Sequence, residues 1–340
     1  MKFHQKIGID LGTSNTVVYR QGDGIVLFEP TVVAISRTDG RVLSVGNEAR
    51  EMLGKTPGNI EAIRPLNDGV IAYYSTTVRM IEYLLRKVAG SWRLFKPTVL
   101  ISVPSNVTNV ERRAVLQAAD EAGAGEAMTI EEPMAAAMGA GLPIASPSGN
   151  MVVDLGGGTT DIAVISLGGI VTSDGIRIAG NKIDEAIVRH IRTTYNLMID
   201  ETQAEEIKIR IGSAYPLERA IMTVNGRDLI AGLPKAVEVS SDEIRDALGE
   251  PLNQIAEKVC QTLEATPPAV ASDIMENGIT LTGGTALLRG LDKLLAEATG
   301  VPVRVADNAL QCVAVGTGRA LEQLETIRLS GAVKVLGKRS

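Results

Sequence analysis

The chain has 340 residues, 45% of them hydrophobic and 22% charged, with a net charge of −6. That length suggests about two domains, and the composition excludes a disordered or fibrous protein. Two cysteines (Cys260, Cys312) and two histidines (His4, His190) exclude a disulfide framework and a thiol or imidazole metal site, fit a reducing cytoplasm, and leave an acidic chain with no general attraction for nucleic acid.

In chain order, β-branched runs predict strands over 7–10, 17–20, 25–28 and 31–35, then a helix over 76–88 and a strand over 98–103. Helices over 109–122 and 133–140 follow, the first opened by Asn109 ahead of Glu111. The second half resumes with strands over 151–155, 162–166 and 170–173 and helices over 182–195 and 204–211. A long helix over 241–266 opens at Ser241-Asp242-Glu243. A strand over 279–282, a helix over 286–299, a strand over 301–305 and a helix over 313–324 complete an α/β pattern. The longest apolar stretch, 134–145, is broken by Gly139, Gly141 and Pro143. It falls short of the ~20 residues a membrane span needs, so a soluble protein, or one resting on a membrane, is expected.

One internal similarity organises the chain. Ile9-Asp10-Leu11-Gly12-Thr13-Ser14-Asn15-Thr16 is echoed by Val153-Asp154-Leu155-Gly156-Gly157-Gly158-Thr159-Thr160. Each copy reads as strand, glycine turn, strand, so two domains of similar plan are expected, divided near the polar stretch 142–150. Glycines let backbone N–H groups approach an anion, and Thr13, Ser14, Asn15, Thr159 and Thr160 add short donors. Asp10 and Asp154 end the preceding strands. Carboxylates beside phosphates repel them unless a cation lies between, so the arrangement predicts Mg²⁺, held largely through water.

A third glycine site, Gly283-Gly284-Thr285, follows a strand and precedes a helical pattern, a place where backbone donors can meet a nucleotide. Gly54-Lys55-Thr56 imitates the end of a P-loop, but Ala49 stands where that motif needs glycine. Glu131-Glu132-Pro133 follows a strand and opens a helix, where acids favour the dipole and where a carboxylate could also orient or deprotonate water. Glu205 and Lys208 are one helical turn apart, the spacing of a surface ion pair.

These segments resemble the actin, Hsp70 and sugar-kinase superfamily, most closely the bacterial actins of the MreB/Mbl family. The likeness runs over nearly the whole chain, including 7–16, 24–30, 62–72, 110–113, 130–137, 150–166, 176–180 and 278–291. It implies an actin-like ATPase fold, two similar domains flanking a nucleotide cleft, each with a smaller subdomain. Domain I would be 1–145 plus 313–340, with a small subdomain near 33–65. Domain II would be 146–312, with a small subdomain near 182–245. The resemblance implies ATP or ADP with Mg²⁺, held by Asp10, Gly12, Thr13, Ser14 and Asn15 on one side and Asp154 with Gly156, Gly157, Gly158, Thr159 and Thr160 on the other. Glu205 and Lys208 match residues bordering adenosine, and Gly283, Gly284, Thr285 and Ala286 match the loop under base and ribose. The water-positioning residue falls at Glu132, with Glu131 a second candidate and Asp161 able to help hold water. Ser14, Glu206 and Thr285 depart from the usual family residues Ala, Arg and Gly.

The family also implies paired filaments of the chain itself beneath the cell membrane, organising cell-wall synthesis and rod shape with membrane-spanning cell-elongation proteins. Trp92, Leu94 and Phe95, interleaved with Arg93 and Lys96, have the pattern of an interfacial anchor and match a membrane-binding loop of some members. A peripheral location on the inner face of the membrane is therefore expected. Two other readings share the superfold. An Hsp70-like switch needs a peptide-binding domain after the ATPase, and the chain ends at Ser340 without one. A sugar kinase needs an aspartate for a substrate hydroxyl, and spacing identifies none.

Overall fold

The computed structural model describes residues 5–89, 96–324 and 333–335. Two sheets share one strand order. In the first, β1 (Lys6–Leu11), β2 (Asn15–Arg20), β3 (Gly24–Pro30), β4 (Thr98–Val103) and β5 (Glu126–Glu131) lie in the order β3-β2-β1-β4-β5. In the second, β6 (Asn150–Leu155), β7 (Thr160–Ser166), β8 (Gly169–Ile176), β9 (Ile279–Thr282) and β10 (Val303–Val305) lie in the order β8-β7-β6-β9-β10. A last strand, β11 (Val333–Val335), pairs antiparallel with β5. The first three strands of each set form antiparallel hairpins, and the last two run parallel and therefore require long crossovers.

Alternation along the strands decides which core each residue fills. Val99, Ile101 and Val103 face the core of the first half, while Leu100 points to the opposite side. Likewise Met151, Val153 and Leu155 face the second core and Val152 points away from it. The opposite faces of both sheets meet a shared central core, built around the helices Glu132–Gly139 and Cys312–Glu322. Both faces of each sheet are thus covered, which is why β4 and β6 each carry three consecutive apolar residues, Val99–Ile101 and Met151–Val153. Each large aliphatic side chain fully buried in this way contributes about 1.5–3 kcal/mol.

Those two helices carry the chain between the halves. Glu132–Gly139 leaves β5 ahead of β6, and Cys312–Glu322 follows β10 and returns to β1. Small residues permit their close crossing: a Cβ on Gly316 would run into the Ala135 carbonyl, and one on Gly139 into that of Cys312.

A smaller sheet is inserted in each half. Val33–Ser36 lies between Val42–Val45 and Ile60–Ile63, with the helix Asn47–Glu51 against them and Val32, Ala34 and Ala49 as their apolar cluster. In the second half, Leu197–Met198, Ile221–Asp228 and Pro234–Ser240 form a sheet beside the helices Gly180–Tyr195 and Glu201–Ile211. The hairpin 221–240 was not expected from the sequence, because it is largely exposed and only Val224 and Val239 among its apolar residues are fully covered.

Two predicted helices are divided. The helix expected over 241–266 is Ser241–Ala247 followed by Gly249–Glu264. Pro251 has no N–H to donate to the Ala247 carbonyl, and Gly249 adds a weak helix former at the break. The helix expected over 286–299 is a short 3-10 turn, Thr285–Leu287, then Leu291–Thr299. Gly290, at φ 74°, separates them in the left-handed region, with Tyr215 packed against it. Two caps lie one residue earlier than expected. Thr108 rather than Asn109, and Ser240 rather than Ser241, close capping boxes with Glu111 and Glu243. Among the described residues no helix is long and apolar enough to cross a membrane. Trp92, Leu94 and Phe95 lie outside the described residues.

Candidate functional site: a cleft between twin glycine turns

The two glycine turns close equivalent hairpins. Leu11 pairs with Thr16 at the end of β1–β2, and Leu155 pairs with Thr160 at the end of β6–β7. The turns approach each other from opposite halves, and their lack of side chains allows it. A Cβ on Gly158 would stand 2.7 Å from Thr13 Oγ1, and one on Gly157 would overlap Ser14 Oγ. Ser14 Oγ donates across the gap to Asn181 Oδ1 at 3.4 Å.

Hydroxyls hold the turns in shape. Thr31 Oγ1 donates to the Gly12 carbonyl at 2.7 Å, and Thr13 Oγ1 accepts from the Gly69 N–H at 3.0 Å. Thr285 Oγ1 donates to the Gly156 carbonyl at 2.7 Å. Thr285 therefore fastens the third glycine segment to the second turn. A glycine at 285 could not make that bond.

Between the halves lies a cavity of about 490 Å³, within the ~300–1,000 Å³ common for small-molecule sites. Its lining includes the two turns with Asp10, Glu132 and Asp154, together with Glu205, Lys208 and apolar side chains such as Leu287 and Leu288. Asn15, Gly283 and Gly284 also line it. Four residues singled out in the sequence do not. Thr160 is buried and donates to the Ile178 carbonyl at 2.7 Å, and Ala286 is packed in the second core. Glu131 ends β5 and pairs with Arg112 at 3.7 Å. Asp161 borders a separate chamber of about 80 Å³, one wall of which, Thr159, is shared with the main cavity.

The acids are closely coupled. Burial, with the Asp154 charge next, pushes Asp10 up to about 7, although the Ser102 hydroxyl donates to it at 3.4 Å. Burial likewise pushes Asp154 to about 7, against a 2.7 Å bond from the Thr282 hydroxyl. Glu132 is raised well above its ordinary value, first by burial, then by the charges of Asp161, Asp10 and Asp154. Asp161 is raised by burial and held back by the Ser105 N–H, which donates to it at 2.6 Å. Crowded, desolvated carboxyls of this kind are the environment a divalent cation relieves. Among the described residues no group of three or more His, Cys, Asp or Glu is placed to hold a metal ion. The donors thus suit an ion held by two carboxyls with water and ligand oxygens completing its shell.

Glu205 and Lys208 do not pair with each other as their spacing suggested. Lys208 Nζ bonds Asp184 at 2.9 Å and the Gly180 carbonyl at 3.3 Å. Burial outweighs that lysine and raises Asp184 to about 6. Glu205 instead accepts from Arg50 at 2.6 Å, across the cleft. Sequence reasoning did not single out Arg50, Ser102, Asn181, Asp184 or Thr282. Thr282 could have been found as the last residue of a strand parallel to β6, whereas nothing near Arg50 in sequence marks it.

Twinned hairpins, two linking helices and a cleft between the halves define an actin-like nucleotide-cleft fold. Solved structures share it. The crystal structure of MreB 5 of Spiroplasma citri bound to AMPPNP superposes with a TM-score of 0.91 at 38% identity, covering 96% of this chain and 99% of that one. The MamK double helical filament, at 22% identity and a TM-score of 0.80, shares the fold. The MreB/Mbl protein family model matches residues 4–329. The cell shape-determining protein MreB of Escherichia coli strain K12 is 51% identical over 329 residues, 95% of each chain. The cell shape-determining protein Mbl of Bacillus subtilis strain 168 is 49% identical over 326 residues, 96% of this chain and 98% of that one. The chain belongs to the MreB/Mbl family.

Proposed function

We propose that the protein is a bacterial actin that binds and hydrolyses ATP with Mg²⁺ and polymerises head to tail into paired filaments. The observation that carries the reading is the convergence of both glycine turns with Asp10, Asp154 and Glu132 on one cavity. The relatives named as cell shape-determining proteins, and the neighbour bound to AMPPNP, support it. In this reading domain I is 1–145 plus 313–340 and domain II is 146–312, and filaments organise cell-wall synthesis and rod shape from the inner face of the membrane with membrane-spanning partners.

The glycine turns, with Thr13, Ser14, Asn15 and Thr159, would cradle the phosphates, and Asp10 and Asp154 would hold Mg²⁺ largely through water. The ion supplies charge neutralisation at the phosphates when bound. Glu132 orients the attacking water and accepts its proton, a task its raised basicity suits. Asp161 supports Glu132 electrostatically, and Glu131 remains engaged with Arg112. Glu205 and Lys208 border the nucleoside, and Leu287 and Leu288 give it an apolar wall. A contact between unlike surfaces repeats into an open filament when its rotation does not close a ring.

The test combines sedimentation, electron microscopy and phosphate release, with and without Mg²⁺ and ATP. Filaments with coupled phosphate release are expected. Monomers alone at high concentration, across nucleotide and lipid conditions, would overturn the reading. Liposome co-sedimentation of a Trp92/Leu94/Phe95→Ser variant addresses the membrane: lipid binding equal to wild type, with filaments intact, would remove those residues from the anchor.

A further inference from the structure

Arg50 and Glu205 lie 155 residues apart in sequence and in opposite halves of the molecule, yet Arg50 Nη2 donates to Glu205 Oε2 at 2.6 Å. Both side chains line the cavity, and they remain 40% and 30% exposed. Arg50 stands on the short helix Asn47–Glu51, carried by the small sheet of the first half, and Glu205 on the helix Glu201–Ile211 of the second. The pair therefore crosses the cleft where it opens to solvent.

The helix bearing Arg50 is itself tethered. Glu29, only 7% exposed at the end of β3, accepts from both the backbone N–H and the side-chain amide of Asn47 at 2.9 Å. Its other oxygen accepts from Lys87 Nζ at 2.8 Å. A buried acid satisfied on both oxygens is costly to disturb, since losing a partner would leave a charge without compensation. It fixes the start of the helix one turn before Arg50. The guanidinium is thus presented to Glu205 from an anchored base, whereas most exposed ion pairs join two freely moving chains.

We propose that the Arg50–Glu205 pair is a latch across the mouth of the cleft that sets how fast nucleotide enters and leaves. The inference rests on the reading of the cavity as a nucleotide site. Passage of a nucleotide requires the two halves to part, and parting them breaks this pair. Entry and exit are then both proportional to the fraction of time the latch is open. Weakening the latch multiplies both rates by the same factor and leaves their ratio, the affinity, unchanged. A residue that gripped the nucleotide directly would instead slow exit alone. An exposed pair is modest in strength, so the factor is about two- to fivefold, and salt shrinks it because the charges are screened.

The test is stopped-flow exchange of a fluorescent ATP analogue with Mg²⁺ on the full chain, comparing wild type with Arg50→Ala, Arg50→Lys and Arg50→Glu. Arg50→Ala is expected to raise association and dissociation rates together by about two- to fivefold with Kd unchanged. Arg50→Glu raises both further by repelling Glu205, and Arg50→Lys stays near wild type because the charge is kept. Raised salt moves wild type toward Arg50→Ala. Unchanged rates in both Arg50→Ala and Arg50→Glu would overturn the latch. So would faster exit with a matching loss of affinity, which marks a direct contact with nucleotide. Failure of wild type to bind the analogue at equilibrium would overturn the nucleotide reading itself, and the latch with it.

Discussion

The hairpin β1–β2 and the hairpin β6–β7 are copies in sequence and in register, yet their chemical surroundings differ. Across the strands, Asp10 faces Val17, whereas Asp154 faces Asp161. Asp10 is partly exposed and has a long bond from Ser102, while Asp154 is buried with a short bond from Thr282. The first turn carries hydroxyl and amide side chains, Thr13, Ser14 and Asn15, and the second is nearly all glycine. The halves thus supply two matching turns whose side chains differ. In the proposed reading the first half would contribute polar ligands, and the second an acid pair beside Glu132.

That division can be broken in order of expected effect. The largest belongs to Glu132→Gln, which keeps shape but would remove the proposed base. Turnover at saturating ATP should fall by about 10²–10⁴-fold with nucleotide affinity preserved, measured by phosphate release and equilibrium titration. Loss of affinity with turnover intact would move Glu132 out of its role on water.

Next come Asp154→Asn and Asp10→Asn. If both hold the ion, each should lower Mg²⁺-dependent turnover by roughly 10²-fold, the scale of one electrostatic group in such a site. A large effect from one and none from the other would show that the twin hairpins are not equivalent toward the metal.

The acids also predict a pH dependence. Folding raises Asp10 and Asp154 from 3.8 to about 7, so between these values the folded chain holds protons that the unfolded chain has released. Stability of the metal-free protein is therefore fully present below pH 4 for these groups and falls as pH rises to 7, by up to about 1.4 kcal/mol per group per pH unit. Thermal melting across pH 4–8 checks this, and Mg²⁺ with nucleotide should flatten the slope by favouring the ionised forms. A metal-free melting temperature that rises steadily from pH 4 to 7 would contradict the crowding of these two acids.

The smallest effect separates the supports of the two aspartates. Thr282→Val removes a buried hydroxyl of nearly the same volume and should cost about 1 kcal/mol. Ser102→Ala should cost less, because its bond to Asp10 is longer and less enclosed. Equal losses in denaturant titration would erase the distinction between the halves.

Much of the site was legible because it is local. A strand, a glycine turn and a second strand occupy eight consecutive residues, and their repetition pointed to two halves of similar plan, while the actin-like fold came from the family resemblance. Helix starts were nearly legible: the Ser/Thr and Glu spacing was visible, but the choice between Thr108 and Asn109, or Ser240 and Ser241, depended on which hydroxyl reached the amide of the third helical residue. The broken helix at Gly290 was not legible, since a 3.6-residue apolar pattern continued through it, while the left-handed φ of Gly290 and the approach of Tyr215 from another segment became visible only in the fold.

The amino-acid order by itself determined the α/β class, the two glycine turns and the acids that end their strands. Each depends on turn geometry and alternation within a few residues. Tertiary structure alone decided that Lys208 answers Asp184 and Glu205 answers Arg50, where spacing had suggested that the two answer each other. It also decided that Thr160 and Ala286 lie beneath the cavity surface. Helical spacing brings two side chains to one face of a helix, but burial and the nearest opposite charge choose their partners. Those partners arrive from segments 24 and 155 residues away, carried there by the packing of the sheets and helices between.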